Sequence, residues 1–239
     1  MSLSLIIPAF NEEEQIKITI KKLINFKKNI SNLEILVIDD KSTDKTYKIV
    51  KYIKKNKSFI KLFSNPKKGL GSAIETGIKN AKNQYICIYM SDMSDDLNDL
   101  KKYYNLIKKK DVDAIFGTRF SRQSEIKGYP IIKLILNRIF NNLVRVIFFS
   151  KYNDFTNAFK IYKKNSLKKL MPIVSENFNV FLELPLKIIA RKYSYIIIPI
   201  KWNYRKKGTS KFEIRELGSM YLFTLFYCLF EKILLNKKK

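Results

Sequence analysis

The sequence has no histidine, only two cysteines, and 21 acidic residues against 47 basic ones. Without histidine there is no Ser-His-Asp triad, no Cys-His pair and no His-ligated zinc or iron centre. Chemistry must then run on carboxylates, lysines, arginines and metals held by oxygen. Cys87 and Cys228 lie far apart in apolar stretches. That arrangement suggests neither a disulfide framework nor a metal knuckle, and it fits a reducing compartment. The segment from Met1 to Pro8 is too short and too strand-like for a signal peptide, so a location on the cytoplasmic side is expected. The last apolar block, Leu217 to Phe230, runs fourteen residues without a charge, short of the roughly 20 needed to span a bilayer.

What is present is a large positive excess, formally +26. It favours anionic partners: nucleic acid, acidic lipid headgroups or phosphorylated small molecules. Lysines that merely solvate helix faces give the same excess, so charge alone does not choose among them. At 239 residues the chain has room for one α/β domain with a sizeable core and an appendage.

Apolar runs at Leu3 to Pro8 and Leu33 to Ile38 read as buried parallel strands. Between them Ile16, Ile20, Leu23 and Ile24 fall at helical spacing, predicting a helix over Glu12 to Phe26 and hence a βαβ unit. Further helices are expected over Ser42 to Asn56 and Gly69 to Ala81. Further strands are expected at Ile60 to Ser64, Tyr85 to Met90, Ala114 to Arg119, Phe155 to Tyr162 and Tyr193 to Pro199. The alternation predicts a three-layer α/β fold. It would occupy residues 1–215, with an amphipathic, basic and aromatic-rich insertion at 128–150 and an apolar then basic tail at 216–239.

Two polar loops follow the first two strands: Pro8-Ala9-Phe10-Asn11-Glu12-Glu13 and Asp39-Asp40-Lys41-Ser42-Thr43-Asp44. Side by side at the carboxyl ends of strands, such loops suit a nucleoside, with carboxylates accepting from base N–H or ribose hydroxyls. Taken singly, Asn11, Ser42 and Thr43 also read as plain helix caps.

Together, the run from Ile6 to Glu12 and the run from Val37 to Asp44 resemble the opening of family 2 glycosyltransferases with the Rossmann-like GT-A fold. Further matches follow in family order: Lys68-Gly69-Leu70-Gly71 with Ala73 and Gly77, then Gly117-Thr118-Arg119, then Thr156 to Lys160, then Arg205 to Lys211. They cover residues 3 to about 212 and look most like the polyprenyl (dolichol) phosphate sugar transferase branch. The resemblance implies a nucleoside diphosphate sugar donor contacted by Pro8, Phe10, Glu12, Asp39, Lys68, Gly69, Asp92, Arg205 and Lys211. It also implies a polyprenyl phosphate acceptor bound through Arg119, with Lys133 and Asn137 on one helix face helping.

The loop Met90-Ser91-Asp92-Met93-Ser94-Asp95-Asp96 lies where the family carries an Asp-x-Asp motif for Mg²⁺ or Mn²⁺. Aligned through Asp99-Leu100, the first aspartate of that motif is Met90 here and the second is Asp92, with Ser94 at a further metal-facing position. Methionine is a poor ligand for a hard cation. Asp95 compensates in one reading, and Asp95 and Asp96 cap a helix in another. A phosphate acceptor needs no general base, because its second pKa of about 6 leaves it anionic near neutrality. Arginine and lysine suit its positioning through charge-assisted hydrogen bonds. The expected catalytic pair is therefore Asp92 at the metal and Arg119 at the acceptor.

Apolar residues from Ile131 to Phe149, interleaved with Lys133, Arg138 and Arg145, give a helix suited to the headgroup plane of a membrane, a dimer interface or ordinary core. A peripheral enzyme on the cytoplasmic face of a membrane is the expectation, and neither this segment nor the tail is expected to span. A saccharide hydroxyl acceptor is the rival reading and would need Asp95 or Glu183 as base. A nucleic-acid-binding protein is the other rival, but the chain shows no DNA- or RNA-binding motif.

Overall fold

The computed structural model describes residues 2–204 and 214–237. In chain order the elements are β1 (Ser2–Ala9), α1 (Ile16–Phe26), β2 (Asn32–Asp39), α2 (Thr46–Lys54), β3 (Ile60–Ser64), α3 (Leu70–Asn80), β4 (Tyr85–Ile88) and α4 (Leu97–Lys110). There follow β5 (Ala114–Thr118), β6 (Glu125–Lys127), α5 (Ile131–Phe148), β7 (Lys160–Lys163), α6 (Lys164–Lys169), α7 (Val180–Ala190), β8 (Tyr195–Pro199), β9 (Lys201–Asn203) and α8 (Ile214–Lys237).

Seven strands form one sheet in the order β3-β2-β1-β4-β7-β5-β8, and β6 pairs with β9 in a small second sheet. Only β7 runs antiparallel to its neighbours in the large sheet. Strands β1 and β2 are buried along all but their first residue because helices cover both faces, and their buried polar residues Ser4 and Glu34 bond each other. Alternate residues feed two cores: Leu5 and Ile7 pack with Ile16, Ile20 and Leu100, while Ile6 packs with Ala73, Ile78 and Leu182. The three layers are therefore as the sequence predicts. The strand order turns outward on both sides of β1, so the carboxyl ends of β1, β2 and β4 frame a crevice at the switch point.

Several boundaries differ from expectation for one local reason. Helix α1 starts at Ile16 rather than Glu12, and α2 at Thr46 rather than Ser42, because the two preceding loops are stitched to each other. The amides of Asn11, Glu12 and Glu13 donate to Ser42 Oγ (3.0 Å), Thr46 Oγ1 (2.8 Å) and Asp44 Oδ2 (3.0 Å). Thr43 N and Lys45 N donate back to Asn11 Oδ1 and Glu13 Oε2. Asn11 and Lys41 adopt left-handed backbone conformations to allow this. Strand β7 begins at Lys160 rather than Phe155, because residues 154–157 turn aside to bond Arg119, Asn141 and Gly117.

The C-terminal segment also differs. Helix α8 is 24 residues long, about 36 Å at 1.5 Å per residue, and the expected boundary at 215/216 falls inside it. Gly218–Leu235 has a mean hydropathy of 1.4, so by length and composition it is able to cross a membrane. That corrects the expectation that this segment is too short. Tyr221, Leu225 and Cys228 of α8 nonetheless join the domain's own core.

Candidate active site

A cavity of about 900 Å³ opens at the switch point. It gathers Pro8, Phe10, Glu12, Lys68, Gly69, Asp92, Ser94, Arg119, Lys133 and Asn137, all expected from the sequence. Asp39 does not line it; its neighbour Asp40 does. Arg205 and Lys211 lie outside the described residues.

On one side, the turn into α3 is held by Asp40, which accepts from Gly69 N (2.9 Å) and Asn65 Nδ2 (2.7 Å). Glycine is required twice in this turn. Gly69 has φ +133°, and a Cβ on Gly71 would lie 1.8 Å from the Ser175 carbonyl oxygen. The approach is that close because Gly71 N donates to Glu176 O at 2.9 Å. Lys68 Nζ sits 4.7 Å above the Phe10 ring, a cation–π contact at the cavity rim. Asp39 Oδ1 is sealed from solvent and has no hydrogen-bond partner among the described residues. Such an atom marks a place where a ligand donor would be welcome.

The loop after β4 supplies the acidic wall. Asp92 Oδ1 accepts from Ser94 N (3.0 Å) and Ser94 Oγ (2.6 Å). Asp96 caps α4 by accepting from Asn98 N at 2.6 Å, as one reading expects of it. Asp95 does not: it is buried and lines the cavity. Burial, reinforced by the charge of Asp92, pushes its carboxyl up to about 8.

Opposite stands Arg119, only 7% exposed. Its Nε and Nη2 grip Asp154 at 2.9 and 2.7 Å, and Nη2 reaches Thr156 Oγ1 at 3.3 Å. Tyr129 and Trp202 flank the guanidinium at 5.6 and 5.5 Å. Among the described residues Nη1 makes no hydrogen bond, so two N–H groups remain for a ligand. Asn137 accepts from Thr156 Oγ1 at 2.8 Å and donates to Tyr129 OH at 2.6 Å, which draws α5 onto this side of the cavity. Farther out the wall turns apolar, with Leu136 and Phe140 of α5 facing Tyr221 and Leu222 of α8.

Glu183 is a correction. It is fully buried in α7, paired with Lys187 at 2.5 Å, and away from the cavity. Its carboxylate accepts from Val174 N and Ser175 N, so it braces the segment behind Gly71. Sequence reasoning missed Tyr129, Trp202, Asp154 and Asn141. The run Asn153 to Asn157 beside the family-like Thr156 to Lys160 was the available signal for Asp154.

A family model described as glycosyl transferase family 2 matches residues 4–171. The chain belongs to that family. This glycosyltransferase is 29% identical over 226 residues to an uncharacterized protein of Methanocaldococcus jannaschii, covering 92% of this chain and 89% of that one. It is 36% identical over 139 residues to the Methanococcus voltae dolichyl N-acetyl-alpha-D-glucosaminyl phosphate 3-beta-D-2,3-diacetamido-2,3-dideoxy-beta-D-glucuronosyltransferase, which covers 56% of this chain and 43% of the relative. It is 22% identical over 226 residues to the glycosyltransferase AglD of Haloferax volcanii, of which it spans 36%. The chain thus spans less than half the length of these last two. Glucosyl-3-phosphoglycerate synthase of Mycobacterium tuberculosis, crystallised with Mn²⁺, UDP-glucose and phosphoglyceric acid, superposes with a TM-score of 0.72. At 15% identity over 95% of this chain and 79% of that one, the likeness establishes the shared three-layer GT-A fold.

Proposed function

We propose that this glycosyltransferase moves a sugar, with inversion, from a nucleoside diphosphate sugar to a polyprenyl phosphate at a membrane surface, in a reaction dependent on Mg²⁺ or Mn²⁺. The observation that carries the reading is the single cavity that runs from the Phe10, Lys68 and Gly69 side, past Asp92, to Arg119 and on to the apolar gap between α5 and α8. A polar donor and a phosphate-headed lipid need such a cavity, polar at one end and apolar at the other.

The nucleoside would lie on Pro8, Phe10 and Glu12, and Asp39, whose unpartnered Oδ1 lies behind the lining, would accept from the base or ribose once the ligand displaces the wall in front of it. The Lys68 ammonium and the Gly69 turn at the N-terminus of α3 would meet the diphosphate. Arg205 and Lys211 are proposed to close over it. The donor set in the acidic loop is oxygen, as a hard cation requires, and Asp92 and Ser94 are its proposed holders. When bound, the cation supplies neutralisation of the negative charge that builds on the departing nucleoside diphosphate.

At the other end the two free N–H groups of Arg119 would orient the acceptor phosphate, helped by Lys133 and Asn137. Asp154 fixes the guanidinium plane for that task. An acceptor oxygen, anionic already, attacks the anomeric carbon as the bond to the diphosphate oxygen breaks, and no base is required. One relative is named for transfer to a sugar carried on dolichyl phosphate, which supports a lipid-linked acceptor; the phosphate as the attacking group rests on Arg119. The exposed apolar faces of α5 and α8, including Ile135, Ile139, Phe223 and Phe226, support attachment to a lipid surface. The attachment proposed is peripheral, on the cytoplasmic face.

A panel of radiolabelled nucleotide sugars, each offered polyprenyl phosphate in vesicles and, separately, free saccharides, tests this. Label entering the lipid phase is the expected result. Transfer only to saccharide would replace the acceptor assignment, and transfer from no donor would remove the reading.

A further inference from the structure

The acidic loop contains one carboxylate that the chain itself does not neutralise. Asp95 is 5% exposed, lines the cavity beside Asp92 and Ser94, and makes no side-chain hydrogen bond or ion pair among the described residues. The basic groups in its surroundings are committed elsewhere. Arg119 is gripped by Asp154, and Lys160 donates to the carbonyl oxygens of Phe155, Asn157 and Phe181. A buried carboxyl left without a counter-charge either holds a proton or takes a ligand that supplies the charge.

Its main chain is held by contacts on two sides. Tyr89 OH donates to Asp95 O at 2.9 Å, Asp95 bridges to Trp202, and Asn203 N donates to Ser94 O at 2.9 Å. These ties hold the loop against β9 with Asp95 on the cavity wall. Across the same loop Met90 contributes a thioether to the cavity wall, which a hard cation does not take as a ligand. Asp92 has already given Oδ1 to Ser94. Asp92 and Ser94 alone thus offer a divalent cation one free carboxylate oxygen and one hydroxyl.

We propose that Asp95 is the second carboxylate of the divalent-cation site, serving from the far end of the loop where Met90 offers no oxygen. The proposal rests on the metal-assisted donor reading above. Two carboxylates with substrate phosphate oxygens suit Mg²⁺ or Mn²⁺, whose sites are seldom all-protein cages. Among the described residues no group of three or more His, Cys, Asp or Glu is placed to hold a metal by itself. The cation should accordingly bind well only together with a nucleoside diphosphate.

The test is Mn²⁺ binding to the full-length protein, followed by electron paramagnetic resonance, with no nucleotide, with UDP and with GDP. The parent should take up Mn²⁺ tightly with one of the nucleotides. Asp95→Ala and Asp95→Asn should weaken that uptake by about 100-fold or more, a direct ligand counting for at least as much as an outer-shell partner. Metal-free nucleotide affinity should stay unchanged. Adding Met90→Asp to Asp95→Ala should restore most of the uptake, because it returns a carboxylate to the same wall. The melting temperature of the metal-free Asn variant should match or exceed the parent's, since an amide of the same shape replaces a carboxyl that makes no side-chain hydrogen bond among the described residues. Parent-like Mn²⁺ uptake by both Asp95 variants would overturn this inference and leave the donor reading standing. Failure of the parent to bind Mn²⁺ with either nucleotide would overturn both.

Discussion

Replacing Glu183 decides whether the lone carboxylate of α7 is a brace or a base. It is fully buried, its Oε1 lies 2.5 Å from Lys187 Nζ, and its oxygens accept from Val174 N at 3.0 Å and Ser175 N at 2.7 Å. Lys187, also buried, donates to Leu170 O and Pro172 O. Glu183→Ala therefore leaves an ammonium without its counter-ion and two amides without an acceptor. Breaking one partner of a buried pair costs about 3–5 kcal/mol, against a total stability of about 5–15 kcal/mol for ordinary domains. Urea unfolding should show a lower midpoint with an unchanged slope. The double variant Glu183→Leu with Lys187→Met should recover part of the loss, because the stranded charge is gone. It should not recover all of it, because each unmet amide still costs about 1–3 kcal/mol. Activity should suffer through donor KM, since Ser175 and Glu176 back the Gly69–Gly71 turn. A Glu183→Ala protein within about 1 kcal/mol of the parent yet devoid of turnover would refute the bracing argument and bring back a saccharide hydroxyl acceptor.

Asp92→Ala should abolish transfer while leaving the urea midpoint in place, and a chelator should do the same to the parent; activity surviving chelation would remove the metal. Arg119→Lys keeps the charge but loses the two-point grip on Asp154, so acceptor KM should rise more than donor KM. A rise confined to the donor would reverse the assignment of the two phosphate sites. Replacing Ile135, Ile139 and Leu143 by serine changes side chains 51%, 61% and 47% exposed. The fold should tolerate it while flotation with anionic liposomes is lost, and a variant that floats like the parent would assign this face to another partner.

The layers were legible because β1 and β2 are mostly apolar runs and α1 repeats at helical spacing, signals that come from burial and need no partner. The loops of the site were legible by residue type but not by geometry. Nothing in the run from Asn11 to Thr46 shows that two loops cap each other and so delay both helices; those bonds join residues about 30 positions apart. Asp39 and Asp40 look alike in sequence. Only the fold makes Asp40 the peg for Gly69 and leaves Asp39 with a free oxygen. Asp154 was missed for the same reason: its partner lies 35 residues away. The length of α8 was misjudged because counting stopped at Glu231, whereas a charged residue ends an apolar run without ending a helix. Glu231 instead bonds Arg191.

The inward faces of the two greasy helices explain why their outward faces stay bare. Helix α8 is tied by Thr224, which receives Asn179 Nδ2 at 2.9 Å and lies 3.3 Å from Ser175 Oγ, in the segment that backs the Gly71 turn. Helix α5 is tied by Asn137 to Thr156 and by Asn141, which is wholly buried and accepts from Phe155 N. The helices are thus fixed to opposite halves of the cavity by directional polar bonds, and they meet where the Phe140 and Tyr221 rings pack edge to face at 5.4 Å. A rotation that hid Ile132, Ile139 or Phe230 would break those bonds and bury asparagine and threonine without partners, at about 1–3 kcal/mol for each group left unmet. Among the described residues nothing covers this apolar surface. In the function proposed above, a lipid surface would cover it while leaving the apolar end of the cavity facing the place from which a polyprenyl chain would enter.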